Sequence, residues 1–298
     1  MPSFAALALL TSTIAASPPP DPPQTATATP TSAIAEAPPA DWKRIRAEDL
    51  LVLDLARGGR VVIQLSDAFA PVHVANIRAL ARAHWYDGLV IERVQDNYVV
   101  QWGDPDSAKP LPAGVIRVSP AEYDRPAAGL ALTVLPYRDT YAERVGVVDG
   151  LPAAEADGRA WPVHCYGMVG VGRDLSPDTG SGAELYAVIG HSPRALDRNI
   201  ALAGRVLAGM DLLAALPRGQ GKLGFYTDPA QRLRIDRVRL ASDLPAAERP
   251  AYERLREDSA GYRAWVQVKA NRQDDFFVHP AGALDICNAV PPVRSAPR

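Results

Sequence analysis

Apolar and polar positions change period several times along this chain. Leu50 to Leu55 and Arg60 to Leu65 run apolar or alternate, with Gly58-Gly59 between them. Two such runs around a glycine pair predict a β-hairpin. Ala70-Pro71 opens a segment in which Val72, Ala75, Ile77, Leu80 and Ala81 recur at helical spacing. Proline is well placed in a first helical turn, and Asp87-Gly88 bounds the segment at its far end. Leu89 to Val94 and Tyr98 to Gly103 predict two further strands around a short turn. Regularity returns at Tyr166 to Val171, Glu184 to Ile189 and Ile200 to Val206; Gly209 to Leu216 reads as a short helix and Ile235 to Ala241 as a closing strand. Many short strands with two helices predict a mainly β protein, a barrel or a sandwich.

Two stretches break this pattern. From Pro105 to about Pro162 the chain is rich in Pro, Ala and Gly without sustained period. It is expected to be a long, loop-like insert, with Leu130 to Leu135 the part best suited to pair as a strand. From about residue 244 the texture changes again. Ala247 to Lys269 is charged and carries Tyr252, Leu255, Tyr262 and Trp265 at amphipathic-helix spacing, with Ser259-Ala260-Gly261 as a break. Residues 244–298 are therefore expected to form a C-terminal helical appendage and tail.

The N-terminus is expected to leave the mature protein. Phe4 to Leu10 is apolar and Thr13-Ile14-Ala15 offers a small-x-small cleavage pattern, although no Lys or Arg precedes the apolar part. The order of parts predicts a signal peptide over 1–16, a Pro/Ala/Thr-rich disordered tether over 17–40 and a periplasmic protein. No apolar run is long enough to predict a membrane span. The net charge of −2, from 32 basic and 34 acidic residues, argues against nucleic acid as a partner. Cys165 and Cys287 admit two readings, one disulfide stapling the tail to the main body or two separate buried thiols. His73, His84, His164, His191 and His279 show no ligand spacing, so neither metal nor cofactor is expected. A Ser or Cys hydrolase has no G-x-S-x-G to rest on.

Gly59-Arg60-Val61-Val62-Ile63-Gln64-Leu65, followed by Ala70-Pro71 and Val74-Ala75-Asn76, is similar to the opening of bacterial cyclophilins, the peptidyl-prolyl cis/trans isomerases. Tyr86-Asp87-Gly88-Leu89-Val90-Ile91-Glu92-Arg93-Val94 resembles the family's Tyr-Asp-Gly-x-x-Phe-His-Arg-Val, and Tyr98 to Asp104 its Phe-x-x-Gln-Gly-Gly-Asp. Gly167 to Arg173, Gly180 to Tyr186, Leu196-Asp197, Gly204-Arg205-Val206 and Gly209-Met210-Asp211 are similar to later family pieces. Gly-Phe-Tyr-x-Asp-Pro from Gly224 and Asp285-Ile286-Cys287-Asn288 resemble long, exported proteobacterial members. The resemblance implies an eight-stranded antiparallel β-barrel capped by two helices, over residues 41–243. It implies a monomer acting on proline-containing polypeptides.

Turning an X-Pro bond breaks no covalent bond; the barrier is lost amide resonance, about 18–20 kcal/mol. A catalyst needs an apolar slot for the proline ring, a grip on the flanking backbone and a cation near the twisting amide, whose nitrogen becomes more basic as it twists. Arginine suits the last role because it stays charged and presents a planar fork of donors. The resemblance assigns that role to Arg93, and to Gln101 the positioning of Arg93 and a contact with substrate backbone. It places Tyr98, Val99, Leu185, Tyr186, Leu196 and Ile200 on or beside the proline pocket, and Arg173 where a residue grips the substrate.

This chain also departs from the family pattern. Glu184 replaces a pocket glutamine, and is expected to hold Arg93 as an ion pair or compete with substrate for it. Ile200 replaces a histidine, and Trp102 replaces a glycine and is expected to add bulk near the active face. Ala195 stands where cyclosporin-sensitive members carry tryptophan, which implies weak inhibition by that drug. These departures also suit a second reading, a catalytically weak cyclophilin-like chaperone or binding module.

Overall fold

The computed structural model describes residues 28–297; the expected signal peptide and the first part of the expected tether lie outside them. In chain order come α1 (Pro30–Glu36), β1 (Trp42–Arg44), β2 (Leu50–Leu55), β3 (Arg60–Leu65), α2 (Pro71–Arg82), β4 (Val90–Val94) and β5 (Val99–Gly103). Five strands follow: β6 (Arg125–Pro126), β7 (Thr133–Val134), β8 (Arg144–Val148), β9 (Leu151–Ala156) and β10 (Arg159–Pro162). Then come β11 (Met168–Val171), β12 (Leu185–Val188), β13 (Leu202–Ala208), α3 (Met210–Ala214), β14 (Leu233–Leu240), β15 (Tyr252–Leu255), α4 (Ala260–Ala270) and β16 (Val293–Ser295).

The expected barrel is present. It closes in the order β11-β12-β5-β4-β14-β2-β3-β13, with β13 returning to β11 and every pairing antiparallel. Alternation puts Leu51, Leu53, Val61, Ile63, Val100, Val169 and Ala187 inside, where α2 adds Val74, Ile77, Leu80 and Ala81, and α3 adds Leu213. Closure leaves no free strand edge in the barrel. The same alternation corrects two expectations. Trp102, 1 % exposed, fills the barrel interior instead of loading the active face, and Leu185 packs beside it in that core.

The stretch from 105 to 162 is not a loop throughout. From Arg125 onward it is a five-stranded antiparallel sheet in the order β6-β10-β9-β8-β7. Both tight turns are Asp-Gly pairs, Asp149-Gly150 (φ 48° and 79°) and Asp157-Gly158 (φ 51° and 69°). Two consecutive left-handed residues suit a hairpin turn whose twist matches its strands. Val145, Val147, Leu151, Ala154 and Trp161 pack in one cluster with Val99, Met168, Tyr186, Val188 and Leu202 from the outer face of the barrel. The irregular first half is tied to α2: Asn76 Nδ2 donates to Ile116 O (2.8 Å) and Ser181 O (2.9 Å), and Oδ1 accepts from Ile116 N (3.0 Å).

The C-terminal region is also more than a helix. Tyr252–Leu255 is a strand between β1 and β16, so the three-stranded sheet joins the first and last parts of the described chain. Ser259, expected to break a helix, begins one: its side chain accepts from Tyr262 N and caps α4. The tether ends earlier than 40, because Pro30–Glu36 is helical and packs on α4, with Ala33 and Ile34 against the apolar cluster. Cys165 and Cys287 form a disulfide, with Cα atoms 5.1 Å apart, which decides between the two readings of the cysteines. Among the described residues no helix is long and apolar enough to cross a membrane.

Candidate functional site

Arg93 is placed by the antiparallel β4–β5 pair. The register shifts between Ile91 and Arg93, and Arg93 then stands directly opposite Gln101. A bulge of this kind re-aims a side chain without ending the strand. Gln101 is in turn opposite Tyr186 on β12, and Tyr186 is opposite Gly170 on β11. Arg93, Gln101, Tyr186 and Gly170 therefore form one row across four barrel strands. Gly170 leaves the space that the Tyr186 ring occupies; a Cβ there would come within 2.2 Å of its ring and hydroxyl.

The guanidinium of Arg93 is held entirely by neutral groups. Nη1 donates to Gln101 Oε1 (2.9 Å), Nη2 donates to Gln95 Oε1, and Nε donates to Leu223 O (2.7 Å). The rings of Tyr98 and Phe225 lie 5.6 and 5.4 Å from Cζ, within cation–π reach. Among the described residues Arg93 makes no ion pair with a carboxylate, so the expected Arg93–Glu184 pair is absent. Burial lowers its pKa, and nearby Tyr98, Glu184 and Glu92 work against that shift.

Glu184 has a different partner. It neighbours the carboxyl of Glu92, which is 4 % exposed and leaves Oε1 unpaired. Burial, together with the Glu184 carboxyl, pushes the Glu92 pKa up to about 8. A buried carboxyl beside a second one keeps its proton to higher pH, because its charged form is poorly solvated and repelled by its neighbour. Glu184 and Arg173 line a polar cavity of about 330 Å³ with Asp104, Lys109 and Ser181. There Arg173 donates from Nε and Nη2 to Asn199 O (3.2 and 3.0 Å).

Of the expected pocket residues, Tyr98, Val99, Tyr186 and Ile200 share one apolar cluster on the outer face. Leu196 is half-buried in the turn 194–196, and Leu185 points the other way, into the barrel. Tyr186 itself is buried, and its hydroxyl donates to His164 Nε2 (2.9 Å). His164 Nδ1 donates to Asp197 Oδ1 (2.9 Å), Arg194 Nε donates to Asp197 Oδ2 (2.7 Å), and the Arg194 fork donates to Asp139 (2.9 and 3.0 Å). This chain of bonds fixes the Tyr186 ring and ties the insert to the turn that carries Leu196.

A model of the family described as cyclophilin type peptidyl-prolyl cis-trans isomerase/CLD matches residues 51–240. The chain belongs to the cyclophilin family of peptidyl-prolyl cis/trans isomerases. In fold, this cyclophilin is similar to the crystal structure of cyclophilin AquaCyp293 from Hirschia baltica. The two share 21 % identity at a TM-score of 0.67, over 91 % of this chain and 99 % of that one. A Cryptosporidium parvum cyclophilin type peptidyl-prolyl cis-trans isomerase, crystallised in the presence of dipeptide Ala-Pro, aligns over 64 % of this chain and 98 % of its own, at 13 % identity and a TM-score of 0.40. A comparison with curated proteins finds no match.

Several residues that shape the surroundings of Arg93 were not singled out as part of a site in the sequence. Glu92 and Gln95 flank Arg93, but their contacts depend on the bulge. Leu223 and Phe225 come from a loop more than a hundred residues away. The glycines 219, 221 and 224 in that loop were the available signal, since clustered glycine marks close backbone approach.

Proposed function

We propose that this cyclophilin accelerates X-Pro isomerisation in exported, proline-containing polypeptides, with Arg93 stabilising the twisted amide. The observation that carries this reading is a guanidinium fixed by three neutral acceptors and two aromatic rings, which among the described residues forms no ion pair with a carboxylate. Arginine has five N–H donors, so two remain free for a substrate. A charge held in place in advance costs little reorganisation when the amide twists. Tyr98 and Ile200, both partly exposed, supply the apolar surface for the proline ring, with Val99 and Tyr186 buried behind them. Gln101, opposite Arg93, presents its amide nitrogen to the substrate backbone while its oxygen holds the arginine. The disulfide agrees with an oxidising compartment, as the N-terminal sequence pattern does, and both support export.

The test is an NMR-exchange or protease-coupled assay of an Ala-Pro peptide with the wild-type chain, Arg93→Ala and Arg93→Lys. Loss of one charged donor to the transition state is worth on the order of 10²–10³ in rate. Arg93→Ala should therefore abolish measurable acceleration, and Arg93→Lys should restore only a small part. No acceleration by folded wild-type chain would overturn the reading. It would favour the binding-module alternative, which one observation supports: Val99 and Tyr186 are almost wholly buried in one cluster with insert residues, which leaves Tyr98 and Ile200 as the partly exposed apolar groups.

A further inference from the structure

We propose that the loop 217–226 forms a subsite for a large apolar or aromatic side chain flanking the substrate proline, with Phe225 and Leu223 as its contact residues. This inference rests on Arg93 as the site of isomerisation.

The loop is bound to β4 on both sides of Arg93. Gly219 N donates to Val94 O (2.9 Å) and Tyr226 N donates to Glu92 O (2.9 Å), while Arg93 and Phe225 form an isolated antiparallel bridge. Close backbone approach makes this seating possible. A Cβ on Gly224 would lie 2.6 Å from Gln95 Cα, and one on Gly219 would lie 1.9 Å from Gly224 O. Tyr226 Oη closes the base of the loop by donating to Pro217 O (2.5 Å), and Arg218 braces it through Ala214 O, Leu216 O and Asp96.

A loop held this firmly would ordinarily turn its large apolar side chains inward. This one leaves Leu223 55 % and Phe225 38 % exposed beside the guanidinium. Leu223 has φ of +57°, a conformation that L residues avoid and that places its carbonyl on Arg93 Nε. The Tyr98 ring also lies within cation–π reach of Arg93, so apolar surface from the loop and from the approach to β5 forms a rim beside the cation. Arg93 and the exposed Lys222 make that rim unfavourable for a basic side chain. An aromatic or large aliphatic residue next to the proline is the chemistry that fits it.

The test measures kcat/KM by NMR exchange for peptides with Phe, Leu, Ala, Glu or Lys immediately before or after the proline. Wild-type chain should prefer Phe to Ala by about tenfold at one of the two positions, the low end of what an apolar contact discriminates. Phe225→Ala and Leu223→Gly should each bring that ratio close to one, through KM more than kcat, and Phe225→Leu should restore part of it. A ratio unchanged in both Phe225→Ala and Leu223→Gly overturns the subsite. If no peptide is turned over, the Arg93 reading fails separately. The same peptides titrated by chemical shift then decide the subsite: loss of the Phe preference in Kd upon Phe225→Ala supports it, and an unchanged preference overturns it.

Discussion

The disulfide is the one covalent link between the barrel and the C-terminal tail. It joins Cys165, buried three residues before β11, to Cys287 in the turn 286–288, across a separation of 122 residues. Cys287→Ser removes the link and leaves a single buried thiol. The loop-closure relation applied to that separation gives about 5 kcal/mol of lost stability. For a folded unit of this size each kcal/mol moves Tm by about 2 °C, so the expected fall is about 10 °C. The check is scanning calorimetry of wild type, of Cys287→Ser and of wild type held in reductant. The variant and the reduced wild type should melt together, well below the oxidised protein. A fall of less than about 2 °C would refute the reasoning, one kcal/mol being the most it would leave to the bond. It would mean that non-covalent contacts already confine the tail in the unfolded ensemble or carry its attachment alone. Those contacts are the β15–β16 pairing, the bond from Tyr262 Oη to Ala289 O (2.7 Å) and the one from Lys269 Nζ to Asn288 O (2.7 Å).

Two further substitutions test the interior. Burial and the neighbouring Glu184 push the Glu92 pKa up to about 8 from an ordinary 4.5, so the native state binds the extra proton and stability falls as pH rises between those values. Melting curves at pH 5, 7 and 9 should show Glu92→Gln losing less Tm over that range than wild type; equal slopes would disprove the raised pKa of Glu92. Trp102→Ala empties the largest fully buried side chain of the barrel, which should cost about 3–5 kcal/mol in guanidinium unfolding. A cost near 1 kcal/mol would show that the barrel collapses around the cavity.

The elements legible in the sequence were those whose signal is local. The hairpin β2–β3 follows from two apolar runs about a glycine pair, and α2 from apolar residues at helical spacing behind Pro71. The Arg93–Gln101 contact was expected from the family resemblance, and the register of β4 and β5 places the two residues opposite each other. The insert sheet was not read because burial on both faces removes alternation, and its buried positions include Ala153, Ala154 and Ala160. Its two Asp-Gly turns were local signals and could have been used. Tyr252 and Leu255 fitted a helical period as well as a strand; pairing with β1, two hundred residues earlier, chose the strand.

Motif order carried the resemblance to the family and, through it, the barrel and the role expected of Arg93, because each motif is a short-range pattern. Tertiary closure decided the rest: Trp102 inward, Glu184 on Glu92 instead of Arg93, Cys165 against Cys287, and the 217–226 loop beside the guanidinium. These contacts join residues far apart in sequence, and their geometry is set by which strands pair and in what register. A shift of one position reverses the face that a strand side chain serves. The sequence names the groups available for chemistry, and the closed barrel determines which of them meet.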